Sequence, residues 1–334
     1  MNLNPVGWAS SSLRLVAKLF NSGVNSTTPV TAISEAPIGF TNADIALVAK
    51  GTGATLAQVP DGTAVGGDKR GQYATDWQKF RSSLSQVASG QYATIGGGRN
   101  NVASSTWSVV GGGYGNSAFN NAGTTIGGGN FNSASGSFAT VLGGGSNSAT
   151  GNYSIIGGGL NNSASSDWSY VSGGRRGTTR FIIGNHVFPA CSSPIADTGG
   201  VTQSALLLLA RQTTNATATV LTSDGYAATT FNQVILPNNS AYSFSGEVIA
   251  GVTGGGDTAR WTINGAIKRG ANAASTAIVG TATVTMTHND AGAAGWTVAV
   301  TADTTNGGIA VTVTGAASTT IRWVCKINTT EMTY

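Results

Sequence analysis

One short repeat dominates the middle of the chain. Between Ala88 and Gly174, units of 15 or 16 residues share an alanine, an aromatic residue four positions later, a glycine triplet and an asparagine-rich turn. The repeat alanines are Ala88, Ala103, Ala118, Ala134, Ala149 and Ala164. The triplets begin at Gly96, Gly111, Gly127, Gly143 and Gly157, with Ser172-Gly173-Gly174 as a degraded copy. The aromatic position holds Tyr92, Trp107, Phe138, Tyr153 and Trp168, with Ala122 in the third unit. Such periodicity predicts stacked coils of one structure.

The length of the unit predicts its contents. At about 3.3 Å per residue, it has room for two short strands and two tight turns. The glycine triplet is expected to form one bend, because glycine adopts positive φ without strain. Asparagine pairs such as Asn100-Asn101 are expected to form the other turn. On this reasoning, Gly112→Val should disrupt the bend.

The thinness of such a coil favours association of three chains. From Ser82 to Gly174 the only charged residues are Arg99 and Asp167, and each unit offers few apolar side chains. An isolated flat roll would be marginally stable, so we expect one face to pack against identical neighbours around an axis. The alternative is a disordered Gly/Ser/Asn linker. The aromatic residue at one phase of the repeat argues against it.

Two of these units carry a family resemblance. The segments starting at Tyr92 and Tyr153 resemble the head repeats of trimeric autotransporter adhesins and, more closely, the shaft repeats of bacteriophage tail fibres and tailspikes. The segment from Gly66 to Gln78 is similar to a lead-in of phage fibres, and the resemblance covers roughly residues 60–180. It implies a homotrimer in the virion, attached through its N-terminus to a tail adaptor or baseplate protein. Its C-terminus would contact a glycan or protein of the host cell.

Composition narrows the class of protein. Charged residues make up 9% of the 334 residues and glycine accounts for 49, which favours an all-β chain rich in turns. The net charge of +4 is not clustered, so no nucleic-acid partner is expected. The sequence contains no run of 18 apolar residues, so no membrane-spanning helix is predicted. No secretory signal is recognisable at the N-terminus, which fits a phage protein made in the host cytoplasm.

We divide the chain into four regions. Residues 1–65 are expected to be the virion-attachment region, or else a plug that caps the repeats, with a short helix over 11–20. Residues 66–87 form a collar, with a short helix over 76–84. Its charges are either solvated or paired with Asp68 and Asp76 of neighbouring chains. Residues 88–180 form the repeat shaft, and 181–334 a C-terminal tip.

The tip is expected to be a β-sandwich of the jelly-roll kind. Strands recur at short intervals, and Tyr242, Phe244 and Val248 share one face. The segment from Arg260 to Arg269 is read as a hairpin turning at Asn264-Gly265. Cys325 alternates inward with Ile321, Trp323 and Ile327. Cys191 and Cys325 are expected to be free thiols, with a disulfide as the alternative. The predicted fold is therefore all-β: a trimeric β-roll or β-helix shaft between an attachment region and a β-sandwich tip.

The sequence contains no recognisable catalytic, metal-binding or cofactor motif. We therefore expect no enzyme activity, no metal and no cofactor. The alternative is a tailspike that hydrolyses host polysaccharide with two carboxylates. Its candidate acids in the tip are Asp197, Asp224, Glu247, Asp257, Asp290, Asp303 and Glu331.

Receptor binding is predicted at exposed aromatic and charged residues of the tip. Trp261 beside Arg260, Tyr226 after the Asp224-Gly225 turn, and Asp257 are the candidates. Trp323 and Tyr242 are expected in the core. A purely structural virion fibre and a bacterial adhesin head remain the other hypotheses. A purely structural fibre would leave adsorption normal after deletion of the tip. An adhesin head would be distinguished by neighbouring genes for export or anchor sequences.

Overall fold

The computed structural model describes residues 18–20, 30–32, 53–190 and 195–334. The chain forms two compact units, Met1–Val48 and Ala49–Tyr334. In the first, β1 (Lys18–Phe20) pairs antiparallel with β2 (Val30–Ala32). The helix predicted over 11–20 is wrong for Lys18–Phe20, which is a strand. The rest of that helix, like Cys191, lies outside the described residues.

The second unit begins with a parallel β-solenoid, as the repeats predict. Its strands are β3 (Thr55–Leu56), β4 (Thr75–Asp76), β5 (Thr94–Ile95), β6 (Val102–Ala103), β7 (Val109–Val110), β8 (Ser117–Ala118), β9 (Thr125–Ile126), β10 (Ser133–Ala134), β11 (Thr140–Val141), β12 (Ser148–Ala149), β13 (Ile155–Ile156), β14 (Ser163–Ala164), β15 (Tyr170–Val171) and β16 (His186–Pro189). One parallel ladder runs through β3, β4, β5, β7, β9, β11, β13, β15 and β16, and a second through β6, β8, β10, β12 and β14. A third column of single bridges runs from Phe80 to Arg175.

The interior of the solenoid closes within one chain. The second residue of each ladder strand points inward, so that Ile95, Val110 and Ala103 are fully buried, as are their equivalents in later coils. Burial of apolar surface contributes about 25 cal/mol per Å², so this stack stabilises the coils. The apolar side chains inside the coils are therefore covered within one chain. The expected packing of a face against identical neighbours stays a prediction.

The predicted collar belongs to the solenoid. Residues 76–84 contain no helix, because β4 joins the first ladder and Phe80 begins the third column. Asp76 is fully buried and accepts from Arg70 Nε at 2.8 Å and from Arg81 Nη2 at 3.0 Å. The two arginines therefore neutralise a carboxylate of their own chain, rather than one of a neighbour. A buried carboxylate is tolerated only with such partners.

A ladder of buried asparagines runs through the solenoid, and sequence reasoning missed it. The Nδ2 of Asn101 donates to the carbonyl oxygens of Gly97 and Gly113, both at 3.0 Å. Its Oδ1 accepts from the backbone N–H of Asn116 in the next coil at 3.0 Å. The pattern repeats at each later coil. Every member therefore forms hydrogen bonds both within its own turn and to the next coil. The members are Asn101, Asn116, Asn132, Asn147 and Asn162. The preceding asparagines, Asn100 and Asn161, have φ of 58°, as the predicted turn requires.

The three glycines of a triplet have different roles. The third has a left-handed backbone; at Gly113, φ is 89° and an added Cβ would lie 2.1 Å from the carbonyl oxygen of Gly129. The middle glycine, Gly112, has ordinary φ and open space around its Cβ position. The bend therefore does not need glycine at position 112, and the expectation that Gly112→Val disrupts it is wrong.

One triplet is also shifted along its coil. β11 pairs with β9 so that Leu142, not Gly143, occupies the place of Gly127. Gly143 is therefore the middle residue of its bend, equivalent to Gly112. The first position is glycine at Gly96, Gly111, Gly127 and Gly157, and each lies against the carbonyl of the next coil. The sixth bend begins with Ser172.

The repeat aromatics form a stripe along one outer edge, which we call the aromatic stripe. Its members are Tyr73, Tyr92, Trp107, Phe138, Tyr153 and Trp168, and each is 45–59% exposed with φ between 52° and 59°. Phe138 and Tyr153 stack at 5.5 Å between ring centroids, and Tyr153 and Trp168 at 6.1 Å. In the third unit the equivalent position is Gly123, with φ of 71°, rather than Ala122. The ring of Phe138 covers this glycine.

The C-terminal part of the unit consists of two antiparallel sheets around one core. Its strands are β17 (Thr202–Thr213), β18 (Thr219–Val220), β19 (Val234–Ile235), β20 (Ser240–Val252), β21 (Thr258–Arg269), β22 (Ala277–Asn289), β23 (Thr297–Asp303), β24 (Gly308–Thr314) and β25 (Ile321–Thr333). Within the described residues, helix is limited to two 3-10 turns, Ala273–Ser275 and Ala291–Ala293. The large sheet has the order β22-β21-β20-β25-β17-β16 and continues the first ladder of the solenoid. The second sheet contains β18, β19, β23 and β24, with β24 paired to each of the others.

The core between these sheets follows the alternation of the strands. Tyr242, Phe244 and Val248 are buried on one face, as predicted. Cys325 is a fully buried free thiol, and its burial raises its pKa to about 12. Trp323 is also fully buried, and its ring centroid lies 5.7 Å from that of Trp296.

The hairpin predicted at Asn264-Gly265 is wrong. Thr258–Arg269 is one continuous strand, paired along its length with β20. Gly265 lies opposite Phe244, and an added Cβ would meet the phenyl ring at 2.6 Å. The register against β22 shifts between Asn264 and Ala266. The glycine therefore marks a bulge beneath an aromatic ring, a common role for glycine inside a strand.

A buried polar network joins the last solenoid coil to the large sheet. The guanidinium of Arg180 contacts the phenol oxygen of Tyr242 and the carboxylate of Glu331. Gln203 Nε2 and Thr329 Oγ1 donate to the two carboxylate oxygens at 2.8 and 2.7 Å. Burial raises the pKa of the Tyr242 phenol well above its usual value, so the hydroxyl stays protonated. Together with the shared sheet, this network holds the solenoid and the C-terminal sheets in a fixed relation.

Candidate functional site

Two polar concavities of the C-terminal part lie on the outer face of the large sheet. Residues there alternate with the core residues, so side chains of β20, β21, β22 and β25 emerge side by side on the solvent side. Two depressions of about 560 and 330 Å³ follow this face. We call the surface the outer trough. It is lined by Ser245, Glu247, Arg260, Thr262, Asn264, Thr287, Lys326 and Asn328.

Cross-strand register brings these residues together. Glu247 on β20 lies opposite Thr262 on β21 and opposite Lys326 on β25. Arg260 lines the first depression and Glu247 the second. Arg260 Nη2 donates to Glu247 Oε1 at 2.8 Å, and Nη1 to Thr287 Oγ1 at 3.3 Å. The two charged side chains are 36% and 52% exposed. Exposed pairs contribute at most about 1 kcal/mol, so this pair could be broken at little cost.

Trp261, predicted as an exposed binding residue, is buried. It is 3% exposed, and its ring centroid lies 5.6 Å from that of Trp323 in the core. The alternation of β21 explains the difference, because Ala259, Trp261 and Ile263 point inward while Arg260 and Thr262 point outward. The prediction of an exposed Trp261 is wrong. Arg260 is 36% exposed on the outer face, and its predicted role in binding stays a prediction.

Asp257 stabilises the turn that follows β22. Its Oδ1 accepts from the backbone N–H of Gly292 at 3.2 Å. The neighbouring Asp290 accepts from the N–H of Thr258 at 2.8 Å. Asp290 lines the edge of the first depression, whereas Asp257 lies beside it. Both carboxylates therefore hold backbone amides at the end of the trough.

Tyr226 lies in a separate loop. Its side chain is 75% exposed, and its backbone N–H donates to Asp224 Oδ1 at 3.0 Å. Arg211 of β17 contacts the carbonyl oxygen of Gly225 and fixes this loop to the sheet. No contact among the described residues joins Tyr226 to Arg260 or Asp257. The structure therefore brings together only part of the predicted set.

Sequence reasoning missed Lys326, Asn328 and Thr287 as members of the site. Each is an ordinary polar residue on the outward side of a strand, and nothing in its local sequence distinguishes it. Lys326 meets Glu247 only through the pairing of β25 with β20, which are far apart in the chain. The alternation of inward and outward side chains along β25 was the one usable signal in the sequence. It places Lys326 on the face of the strand opposite to Cys325 and Ile327.

Comparison with known protein families and with curated proteins finds no match to this chain. Among the described residues, no helix is long and apolar enough to cross a bilayer. The same residues contain no cluster of three His, Cys, Asp or Glu side chains with the arrangement of a metal site.

Proposed function

We propose that the chain is the subunit of a homotrimeric fibre of the bacteriophage tail-fibre type, whose C-terminal sheets bind glycan on the host cell surface. The observation that carries this proposal is the continuity of the fold. The first ladder of the solenoid passes through β16 directly into the large sheet that bears the outer trough. A repeat spacer fused rigidly to a recognition surface suits an attachment fibre.

Trimerisation is supported by the outer surface of the solenoid. The aromatic stripe places one half-exposed ring on nearly every coil, in a stretch with little charge to keep chains apart. Contiguous exposed apolar surface of this kind marks interaction sites. Each aromatic pair formed between chains contributes about 0.5–1.5 kcal/mol beyond its burial. Repetition along the coils multiplies that contribution.

The edge strand β22 supports the same assembly. It pairs with β21 on one side only, and none of its thirteen residues is buried. Ile278, Val284 and Met286 contact the core but stay partly exposed. In natural proteins, charged residues or proline on an edge strand prevent it from pairing with another chain. β22 contains no Asp, Glu, Lys, Arg or Pro. A neighbouring chain would cover this edge.

Glycan recognition is supported by the chemistry of the outer trough. Its hydroxyl, amide and charged groups supply donors and acceptors for sugar hydroxyls, while Ile249 adds an exposed apolar contact. Three copies on one fibre would raise a weak contact to a useful avidity. The N-terminal residues 1–65 would carry the attachment to a tail adaptor or baseplate protein.

Adsorption of phage to host cells tests this function. Purified full-length chain should compete with phage for adsorption, and the double variant Arg260→Gln/Lys326→Gln should compete at least tenfold less well. Lys268→Gln, on an exposed position outside the trough, is the matched control. If the double variant competes as well as the parent chain, the outer trough is not the surface that binds the host cell. Release of reducing ends from host polysaccharide would favour the hydrolytic alternative.

A further inference from the structure

The second depression of the outer trough contains a cation without a counter-charge. Its volume of about 330 Å³ is within the range of ligand sites. Its charged lining residues are Lys326 of β25 and Glu247 of β20, which lie directly opposite each other. Glu247 nevertheless accepts from Arg260 Nη2, at 2.8 Å. No hydrogen bond or ion pair among the described residues engages the exposed Lys326 ammonium, so its donors are accessible to a ligand.

The two cations of the trough therefore differ in availability. Arg260 donates to both Glu247 and Thr287, and its charge is compensated by the Glu247 carboxylate. The other acid of the trough, Asp290, lines the first depression and accepts from the backbone N–H of Thr258. Lys326 thus carries the uncompensated positive charge of the second depression. Such a charge in a concave surface attracts anions.

Neutral polar side chains surround this cation in a regular grid. Ser245 on β20 lies opposite Asn264 on β21 and opposite Asn328 on β25, so these three side chains form one cross-strand row. Directly opposite residues in such a sheet have Cβ atoms about 4.5–5.5 Å apart. The adjacent row of the same depression consists of Thr262, Glu247 and Lys326.

The neutral members of the grid are open to a ligand. The side chains of Ser245, Thr262, Asn264 and Asn328 have no hydrogen-bond partner among the described residues. Hydroxyl and amide groups both donate and accept, as sugar hydroxyls do. All four residues are on strands, so the sheet fixes their spacing before a ligand binds. A compact ring with one negative group and several hydroxyls matches this arrangement.

We propose that the second depression binds a negatively charged sugar unit, with the Lys326 ammonium at the negative group and the Ser245 row at the ring hydroxyls. This choice of ligand rests on the proposed glycan recognition and makes the receptor an acidic surface polysaccharide. An ammonium is a point charge without the planar fork of a guanidinium. It therefore suits a uronate carboxylate or a sugar sulfate, and the ligands of the test separate the two.

Titration of the full-length chain, followed by ligand-observed NMR, compares glucuronate, glucose sulfate and glucose. At low ionic strength, one of the two charged sugars should bind about fivefold more tightly than glucose. This factor follows because an exposed ion pair contributes at most about 1 kcal/mol and about 1.4 kcal/mol is a tenfold change. The tighter of the two identifies the negative group. Added salt should reduce the preference, because it screens exposed charges.

Three substitutions assign the preference to Lys326. Lys326→Gln should bind the charged sugar no more tightly than glucose, with the melting temperature of the parent. Glu247→Gln should tighten binding of the charged sugar, because it removes the carboxylate opposite Lys326. Lys268→Gln is the matched control, since Lys268 is exposed on β21 opposite Ala241 and Ala277, outside the trough. It should retain the preference of the parent.

The proposal is overturned by equal binding of the three sugars, by a preference that persists in Lys326→Gln, or by weaker binding of the charged sugar in Glu247→Gln. An equal loss in Lys268→Gln also contradicts it. Failure of the proposed function looks different. A chain that prefers a charged sugar through Lys326 but does not compete with phage retains the site and loses the host-attachment role. A chain that competes with phage without this preference does the reverse.

Discussion

Alanine substitution at two adjacent glycines provides a sharp test of the solenoid geometry. At Gly113, φ is 89° and the new Cβ would lie 2.1 Å from the carbonyl oxygen of Gly129. At Gly112, φ is ordinary and no heavy atom lies within 4 Å of the Cβ position. The two substitutions add the same methyl group to the same bend, so each controls for the other.

The expected costs differ in sign. Left-handed backbone costs a non-glycine residue about 1–2 kcal/mol, and local strain from the displaced coil adds about 1–3 kcal/mol. Gly113→Ala should therefore lower the free energy of unfolding by about 2–5 kcal/mol. Gly112→Ala should be neutral or raise it by about 0.4–1 kcal/mol, because alanine restricts the unfolded chain.

Thermal unfolding followed by far-ultraviolet circular dichroism measures the difference. At about 2 °C per kcal/mol, Gly113→Ala should melt about 4–10 °C below the parent. Gly112→Ala should melt at or slightly above the parent temperature. Equal destabilisation by both substitutions, or a larger effect at Gly112, would refute the assignment of left-handed geometry to the third glycine.

Three further predictions concern buried residues. Asn132→Ala should cost about 1–3 kcal/mol of stability in urea unfolding, since it leaves the Asn147 N–H and the Gly128 carbonyl without partners and removes one of the donors to the Gly144 carbonyl. The exposed Asn130→Ala, two residues earlier in the same turn, should cost little, and equal effects would contradict a structural role for the ladder. Trp261→Ala should lower stability by about 3–5 kcal/mol, as expected for a core residue; a folded variant of parental stability that fails only in binding would restore the surface assignment. Cys325 should resist alkylation at pH 8 in a Cys191→Ser background until the chain unfolds, because its raised pKa of about 12 keeps the thiol neutral; rapid labelling of the native chain would contradict its burial.

The architecture of the middle of the chain follows from the repeat. A fixed period with small residues and glycine bends predicts stacked two-strand coils, and the positive φ of Asn100 and Tyr92 shows how locally the turns are encoded. The buried asparagine ladder was not predictable in the same way. Asn101 and Asn100 are adjacent and identical in type, but only the interior position meets the carbonyls of two coils.

The prediction of the binding-site residues was less accurate than that of the repeats, and the reason is physical. Trp261 was predicted to be exposed because it adjoins the charged residue Arg260. In a long strand, however, adjacent side chains point to opposite faces of the sheet. The Asn264-Gly265 pair has the sequence of a tight turn, but packing of Phe244 over Gly265 overrides that preference. The outer trough depends on the register between β20 and β25, which only the folded chain defines.

Assembly into a homotrimer is the central claim, and the mass of the native particle tests it most directly. One chain has a mass of 33.4 kDa. Sedimentation equilibrium of the purified full-length chain should therefore give a single species of three times 33.4 kDa, about 100 kDa. A folded, stable species of 33.4 kDa at micromolar concentration would contradict the account.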